Sequence, residues 1–290
     1  MKVSIIIAVY NEAATVATLL ERVRAQPLPE ASKEIIIVES NSTDGSREIV
    51  AQFHARHAAE LSPKIQVIYE PRPMGKGHAI RQGFAAATGD ILLIQDADLE
   101  YDVADYPELL RPIIEGRTAF VLGSRHMGPD GWKIRQFAHG GLQAAFMNCG
   151  GLLFHALFNI VFATRLTDPT SMYKVFRSDC LHGLSFTRDR FDFDFELLGK
   201  LIRAGFSPLE VPVNYKSRGF DEGKKIRILR DPLTWIRAIV ACRFAALGAS
   251  ERQPRQHPAN QRAYRRHEPR ELDHPRELDH PKVGIDSELR

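Results

Sequence analysis

Gln95-Asp96-Ala97-Asp98-Leu99-Glu100 is the stretch of this 290-residue chain whose residue types and spacing most directly suggest chemistry. Two carboxylates one residue apart, with a third in step, can share a hard cation such as Mg2+ or Mn2+. A cation held that way bridges diphosphate oxygens and stabilises negative charge on a departing nucleotide. The competing reading is plainer: Asp98 or Glu100 caps a helix, and the spacing is chance. What separates the two is the element that delivers the pair. Ile91–Ile94 (ILLI), just ahead of it, reads as a buried strand, so the carboxylates fall where a strand hands side chains to a sheet edge.

The elements before it alternate. Lys2–Ala8 is apolar and β-branched, as in a parallel strand covered on both faces. Asn11-Glu12 opens a helical pattern to about Arg24, with Val16, Leu19, Leu20 and Val23 on one face. A second strand is expected at Glu34–Val38, then turn and cap residues Ser42-Thr43-Asp44-Gly45 and a helix to about Leu61. Ile65–Tyr69, Gly77–Ala87 and Ile91–Ile94 continue as strand, helix and strand. This alternation predicts an α/β fold with a mostly parallel sheet flanked by helices. Ligands gather at the carboxyl ends of such strands. Tyr10-Asn11-Glu12, Glu39 to Asp44 and Asp96 to Glu100 all fall there, and that convergence says more than any one motif.

Further on, a helix is expected over Asp105–Glu115 and a strand over Phe120–Ser124. After those come a helix to about Ala204 and short strands at Leu209–Val213 and Tyr215. Gln136–Thr164 holds no Asp, Glu, Lys or Arg and is long enough to span a bilayer. Its Gln, Asn and His residues and its Gly140-Gly141 and Gly150-Gly151 pairs would be costly in hydrocarbon, so two short apolar helices, buried or against a membrane surface, are expected. Ile226–Leu247 reads as a helix punctuated by Arg227, Arg230, Arg237 and Arg243. It either packs on the domain or lies on an anionic membrane. From Ser250 the chain is rich in Pro, Arg and His, repeats Pro-Arg-Glu-Leu-Asp-His, and reads as a disordered tail over 250–290.

Bulk properties exclude several classes. A net charge of +3 does not argue for nucleic acid. Cys149, Cys180 and Cys242 are odd in number and widely spaced, against a disulfide framework or a structural zinc site. No signal-peptide pattern opens the chain, so the expected location is cytoplasmic, with peripheral contact at the inner membrane face as an addition. A dinucleotide-binding enzyme would show G-x-G-x-x-G after the first strand, where this chain has Val9-Tyr10-Asn11-Glu12. A D-x-D phosphatase would carry its nucleophile on the first strand, not the fourth.

Ile5–Glu12 (IIIAVYNE), Ile36–Gly45 (IIVESNSTDG), Met74–Gly83 (MGKGHAIRQG) and Gly89–Asp102 (GDILLIQDADLEYD) occur in that order. Gly123-Ser124-Arg125, Asp168 to Phe176 and Glu210–Lys224 follow them. In this order, over roughly residues 1–230, the chain resembles the inverting family 2 glycosyltransferases of GT-A fold, especially the polyprenyl-phosphate branch related to dolichol-phosphate mannose synthase. The resemblance implies a GT-A domain over 1–249, with a nucleotide-sugar half (1–130) and an acceptor-side half (131–249). It implies that Ala8, Tyr10, Glu12, Glu39, Lys76 and Lys224 meet the donor nucleotide and its phosphates. Asp96, Asp98 and Glu100 would hold Mg2+ or Mn2+, Arg125 would face the donor side, and Arg218 would close over phosphates with Lys224. Three departures stand out: Ala8 replaces the usual Pro, Glu39-Ser40 the usual Asp-Asp, and Asp221 and Gly223 the usual Gly and Ser. The second leaves a UDP- and a GDP-sugar equally open.

The acceptor decides the mechanism. A polyprenyl phosphate brings an anionic oxygen and needs no general base. A hydroxyl of a glycan or small molecule needs one within reach, and Asp192, Asp194 and Glu196 are candidates. Those acids equally suit the start of a helix. Asp168 before Pro169 either orients the acceptor loop or caps a turn. The reading from another class is a non-catalytic, membrane-associated homologue that keeps the fold, against which Asp96, Asp98 and Arg218 stand.

Overall fold

The computed structural model describes residues 1–28, 30–60, 62–127, 141–218 and 231–244. The tail, Lys224 and the ends of the charge-free and Arg-punctuated segments lie outside them. Among the described residues, seven strands form one sheet in the order β3-β2-β1-β4-β6-β5-β7. β1 (Lys2–Val9) lies parallel to β2 (Ser32–Glu39) and to β4 (Ile91–Asp96), and β2 to the edge strand β3 (Lys64–Tyr69). Val3, Ile5–Ile7, Ile35–Val38 and Ile91–Ile94 are buried, as continuous apolar strands inside a parallel sheet must be. On β3 burial alternates between exposed and half-buried, as suits an edge. Leu19, Leu20 and Val23 of α1 (Val16–Ala25), Val50 and Phe53 of α2 (Ser46–His57) and Ile80 of α3 (Lys76–Ala86) complete this core.

β5 (Phe120–Ser124), after α4 (Tyr106–Ile114), does not join β4. A short strand the sequence pattern had not marked, β6 (Lys174–Arg177), runs antiparallel between them, and β7 (Leu209–Pro212) adds parallel to β5. The sheet is therefore mostly parallel with one reversed strand.

Three expectations about helices are corrected. α1 begins at Val16, not at Asn11-Glu12. Asn11 takes φ 51 and its Oδ1 accepts from Thr43 N–H, so these residues belong to a turn tied to the β2–α2 loop. α2 ends at His57, short of Leu61. Instead of two short apolar helices, one 22-residue helix, α5 (Gly141–Phe162), runs through Gly150-Gly151. Glycine lowers helix propensity by about 1 kcal/mol, which a long packed helix absorbs. Phe158 of α5 is buried, stacked on Phe162 at 4.5 Å. Among the described residues no helix is long and apolar enough to cross a membrane. α6 (Phe193–Arg203) and α7 (Asp231–Phe244) pack with α5. Trp235 of α7 meets Phe154 of α5 and Phe195 of α6, with ring centroids 5.3 and 5.8 Å away.

Candidate functional site

The carboxyl ends of β1, β2 and β4 lie side by side, with Ala8 paired to Asp96 and Val9 to Glu39. Beyond Asp96 the chain folds back through Leu99 at φ 59, a left-handed conformation uncommon for a non-glycine residue. The turn is held by Thr15 Oγ, which donates to Ala97 O at 2.8 Å, and by Glu100 N–H on Asp98 Oδ1. Segment 214–218 is laid against it: Lys216 N–H donates to Glu100 O at 2.8 Å, and Tyr101 bridges to Tyr215.

Two cations enter this acidic edge from different elements. Lys76, at the start of α3, places Nζ 2.5 Å from Asp96 Oδ1. Burial disfavours its ammonium, but Asp96, Asp194 and Asp98 outweigh that and hold its pKa above the ordinary lysine value. Arg218 donates from Nη1 and Nη2 to Glu12 at 2.8 and 3.3 Å and from Nη2 to Asp98 Oδ2 at 3.1 Å. Its Nε is 3.8 Å from Glu100. Asp98 is pushed up to about 7 by burial and then by Asp96 and Glu100, with Arg218 opposing. Glu12, Asp96, Asp98 and Glu100 thus meet Lys76 and Arg218 at one partly buried edge. Carboxylate oxygens are hard donors of the kind that a divalent cation of the Mg2+ or Mn2+ class takes.

Not all expected site residues join this cluster. Tyr10 stays exposed at the rim. Glu39 is fully buried, with one oxygen accepting from Ser42 N–H at 2.7 Å and the other from Arg47 at 3.0 Å; Arg47 in turn lies over the Tyr69 ring. Arg125 is drawn away to Asp168, which accepts from its Nε, Nη2 and backbone N–H at 2.6, 2.8 and 3.0 Å. Burial works against the Asp168 carboxylate, yet Arg125 holds its pKa well below the usual range.

Among the described residues, His126, His155 and Asp168 are the three potential ligands whose atoms come within 4.8 Å of one another; Asp96, Asp98 and Glu100 do not form such a group. Arg125 already neutralises Asp168, and Thr170 Oγ takes its Oδ1 as well, so a second cation there would meet a buried guanidinium.

Asp192, Asp194 and Glu196 sit at the start of α6. Glu196 accepts from Thr187 and Arg188 N–H and pairs with Lys200, and Asp192 pairs with Arg188. Asp194 lies near Lys174, Lys76 and Asp96 instead. Burial raises its pKa against the pull of Lys174 and Lys76, and its Oδ1 is buried without a hydrogen bond among the described residues. Arg47, Tyr215, which donates to Glu100 at 2.6 Å, and the fully buried Lys174 are parts of the site region that spacing along the chain does not reveal.

The family model described as Glycosyl transferase family 2 matches residues 4–182. A dolichyl-phosphate beta-glucosyltransferase of Trichomonas vaginalis is 28% identical over 227 residues, covering 74% of this chain and 64% of its own. A dolichol-phosphate mannosyltransferase of Pyrococcus furiosus is 28% identical over 227 residues, covering 77% and 59%. The chain thus spans less than two thirds of the length of these relatives. Among solved structures, glucosyl-3-phosphoglycerate synthase of Mycobacterium tuberculosis with Mn2+, UDP and phosphoglyceric acid superposes with a TM-score of 0.59. It is 19% identical, with 84% of this chain and 78% of that one covered. The shared fold is GT-A.

Proposed function

Because the chain belongs to glycosyl transferase family 2, we propose that it moves a sugar from a UDP- or GDP-sugar to a polyprenyl-phosphate lipid with inversion at the anomeric carbon. The observation that carries the donor half is the meeting of Lys76 and Arg218 with Glu12, Asp96, Asp98 and Glu100 at the carboxyl ends of β1 and β4. Asp96, Asp98 and Glu100 would hold the divalent metal, which when bound neutralises the diphosphate leaving group. Lys76 presents a point charge at the N-terminus of α3, where backbone N–H groups also favour phosphate. Arg218 offers a planar fork suited to phosphate oxygens, and Lys224 follows it in the sequence. A lipid phosphate attacks with an oxygen that is already anionic, so positioning and charge neutralisation suffice.

The lipid is supported by the outer faces of α5 and α7. Leu153, Ile160 and Phe244 are 71%, 79% and 77% exposed; Arg243 lies over the Phe244 ring, and Arg237 of α7 is also exposed. Arg243 Nε donates to Val161 O at 3.0 Å, which keeps the two helices side by side. An apolar face with arginines around it suits an anionic membrane surface, and we place the protein peripherally at the inner face of the membrane. The second reading, transfer to a hydroxyl, is favoured by one observation: Asp194 turns toward Lys76 and Asp96 with an oxygen that makes no hydrogen bond.

The test is a screen of radiolabelled UDP- and GDP-sugars against membrane extract and water-soluble acceptors with Mn2+. Label should enter the organic phase and vanish with Asp98→Ala. Product confined to the aqueous phase would overturn the lipid acceptor, and failure to bind any nucleoside diphosphate would overturn the enzyme.

A further inference from the structure

Arg218 stands on the same oxygens that the proposed function gives to the metal. Its backbone and its side chain are held differently. Arg218 N–H donates to Glu100 Oε1 at 2.8 Å and Tyr215 Oη to Glu100 Oε2 at 2.6 Å, while Asn214 is fastened to Asp105 through two hydrogen bonds of 2.7 Å. Segment 214–218 is therefore anchored without the guanidinium. The side chain itself is incompletely satisfied: Nη1 and Nη2 reach Glu12 and Asp98, but Nε makes no hydrogen bond among the described residues. Arg125 provides the contrast, since its Nε, Nη2 and N–H all close on one carboxylate.

We propose that Arg218 is the exchangeable counter-cation of the acidic edge. A divalent metal and the guanidinium compete for Asp98 and Glu100, so capture of the metal turns the Arg218 side chain out while the backbone of 214–218 keeps its place. The released guanidinium is then available for diphosphate oxygens that arrive with the metal. This rests on the assignment of the metal to Asp96, Asp98 and Glu100. It follows from charge. A unit positive charge within a few ångströms of a dication, at the effective dielectric of a half-buried site, weakens binding by about tenfold or more.

The experiment is titration of the full chain with Mn2+ alone, followed by electron paramagnetic resonance, with urea unfolding to verify that each variant folds. Arg218→Ala should bind Mn2+ about tenfold or more tightly than the unsubstituted protein. Arg218→Lys, which keeps the charge, should stay within about threefold of it. With UDP or GDP added, the order should reverse, because the arginine then serves the diphosphate. Equal or weaker Mn2+ binding by Arg218→Ala, or no Mn2+ binding by either protein, overturns the exchange. Tighter binding by Arg218→Ala that Asp98→Ala abolishes, with no donor turned over, leaves the exchange standing and counts against the transferase reading.

Discussion

Asp168→Asn puts the heaviest load on the buried pair at the end of β5. The side chains of Arg125 and Asp168 are 6% and 0% exposed, and the carboxylate accepts three hydrogen bonds from Arg125 and one from Thr170. Asparagine keeps one acceptor but removes the charge, leaving a guanidinium buried against Tyr215 and Tyr101 without its counter-ion. Breaking a buried pair from one side costs about 3–5 kcal/mol, and the retained acceptor places this case near about 3. For a chain of this size that is a fall in Tm of about 6–12 °C. Urea unfolding of the single variants and of Arg125→Met/Asp168→Asn supplies a double-mutant cycle, with an expected coupling of about 2 kcal/mol or more. The folded-state pKa of Asp168 is depressed, so the pair's contribution is full above the ordinary aspartate value of 3.8 and is lost below it as the pH falls. A loss under about 1 kcal/mol, or additivity within about 0.5, would show that Arg125 is not a structural post.

Glu34 lends itself to a pH test. It takes Ser4 Oγ at 2.6 Å, Thr88 N–H at 2.7 Å and Lys2 Nζ at 2.6 Å, and although burial opposes it these partners bring its pKa down to about 2 from 4.5. Its contribution is present above 4.5 and lost toward 2, so Glu34→Gln should destabilise by up to about 3 kcal/mol at neutral pH and much less in strong acid; a Tm difference independent of pH refutes this. Gly77→Ala should cost about 1–3 kcal/mol in urea unfolding, because the added methyl would lie 2.5 Å from Phe193 Cβ and 2.6 Å from Arg188 O; an unchanged midpoint counts against the tight seat of α3 on 188–193. Leu153→Glu/Ile160→Glu should abolish sedimentation with anionic vesicles and leave Mn2+ binding unchanged, whereas undiminished sedimentation removes α5 from the membrane proposal.

The β1–β4 part of the fold was legible because local pattern and tertiary role agree there. Ile5–Ile7, Ile35–Val38 and Ile91–Ile94 are apolar on both faces because helices cover both, and a run of that kind reads as a buried strand from sequence alone. The acidic segments at the strand ends were visible for the same reason. β6 was not: four residues bounded by Tyr173 and Ser178 carry no period, and their pairing with β4 and β5 is decided by residues more than fifty positions away. The Asn11 turn was misread as helix because Ser42 and Thr43, on another loop, hold it. Gly150 was read as a breaker, yet no neighbour lies within 4 Å of the position a side chain would take, so nothing there forces a break. Glu39 and Arg125 read as donor-facing from their positions in the motifs. Their partners Arg47 and Asp168 come from α2 and from the segment before β6, which no spacing rule connects to them.

The reversed strand also bears on how the chain can be divided. Among the described residues β5 pairs with β6 and β7 and with no earlier strand, and β6 is the only strand of the described sheet that joins β5 to β4. A fragment ending near residue 130 would carry β5 with neither neighbour and leave one side of β4 open, a row of unpaired amides and carbonyls inviting self-association. Residues 1–130 are therefore not an autonomous folding unit, though they carry most of the recognisable motifs. Its last strand has to await synthesis of residues 174–177, and the resulting high contact order slows closure of the sheet relative to the β1–β4 core.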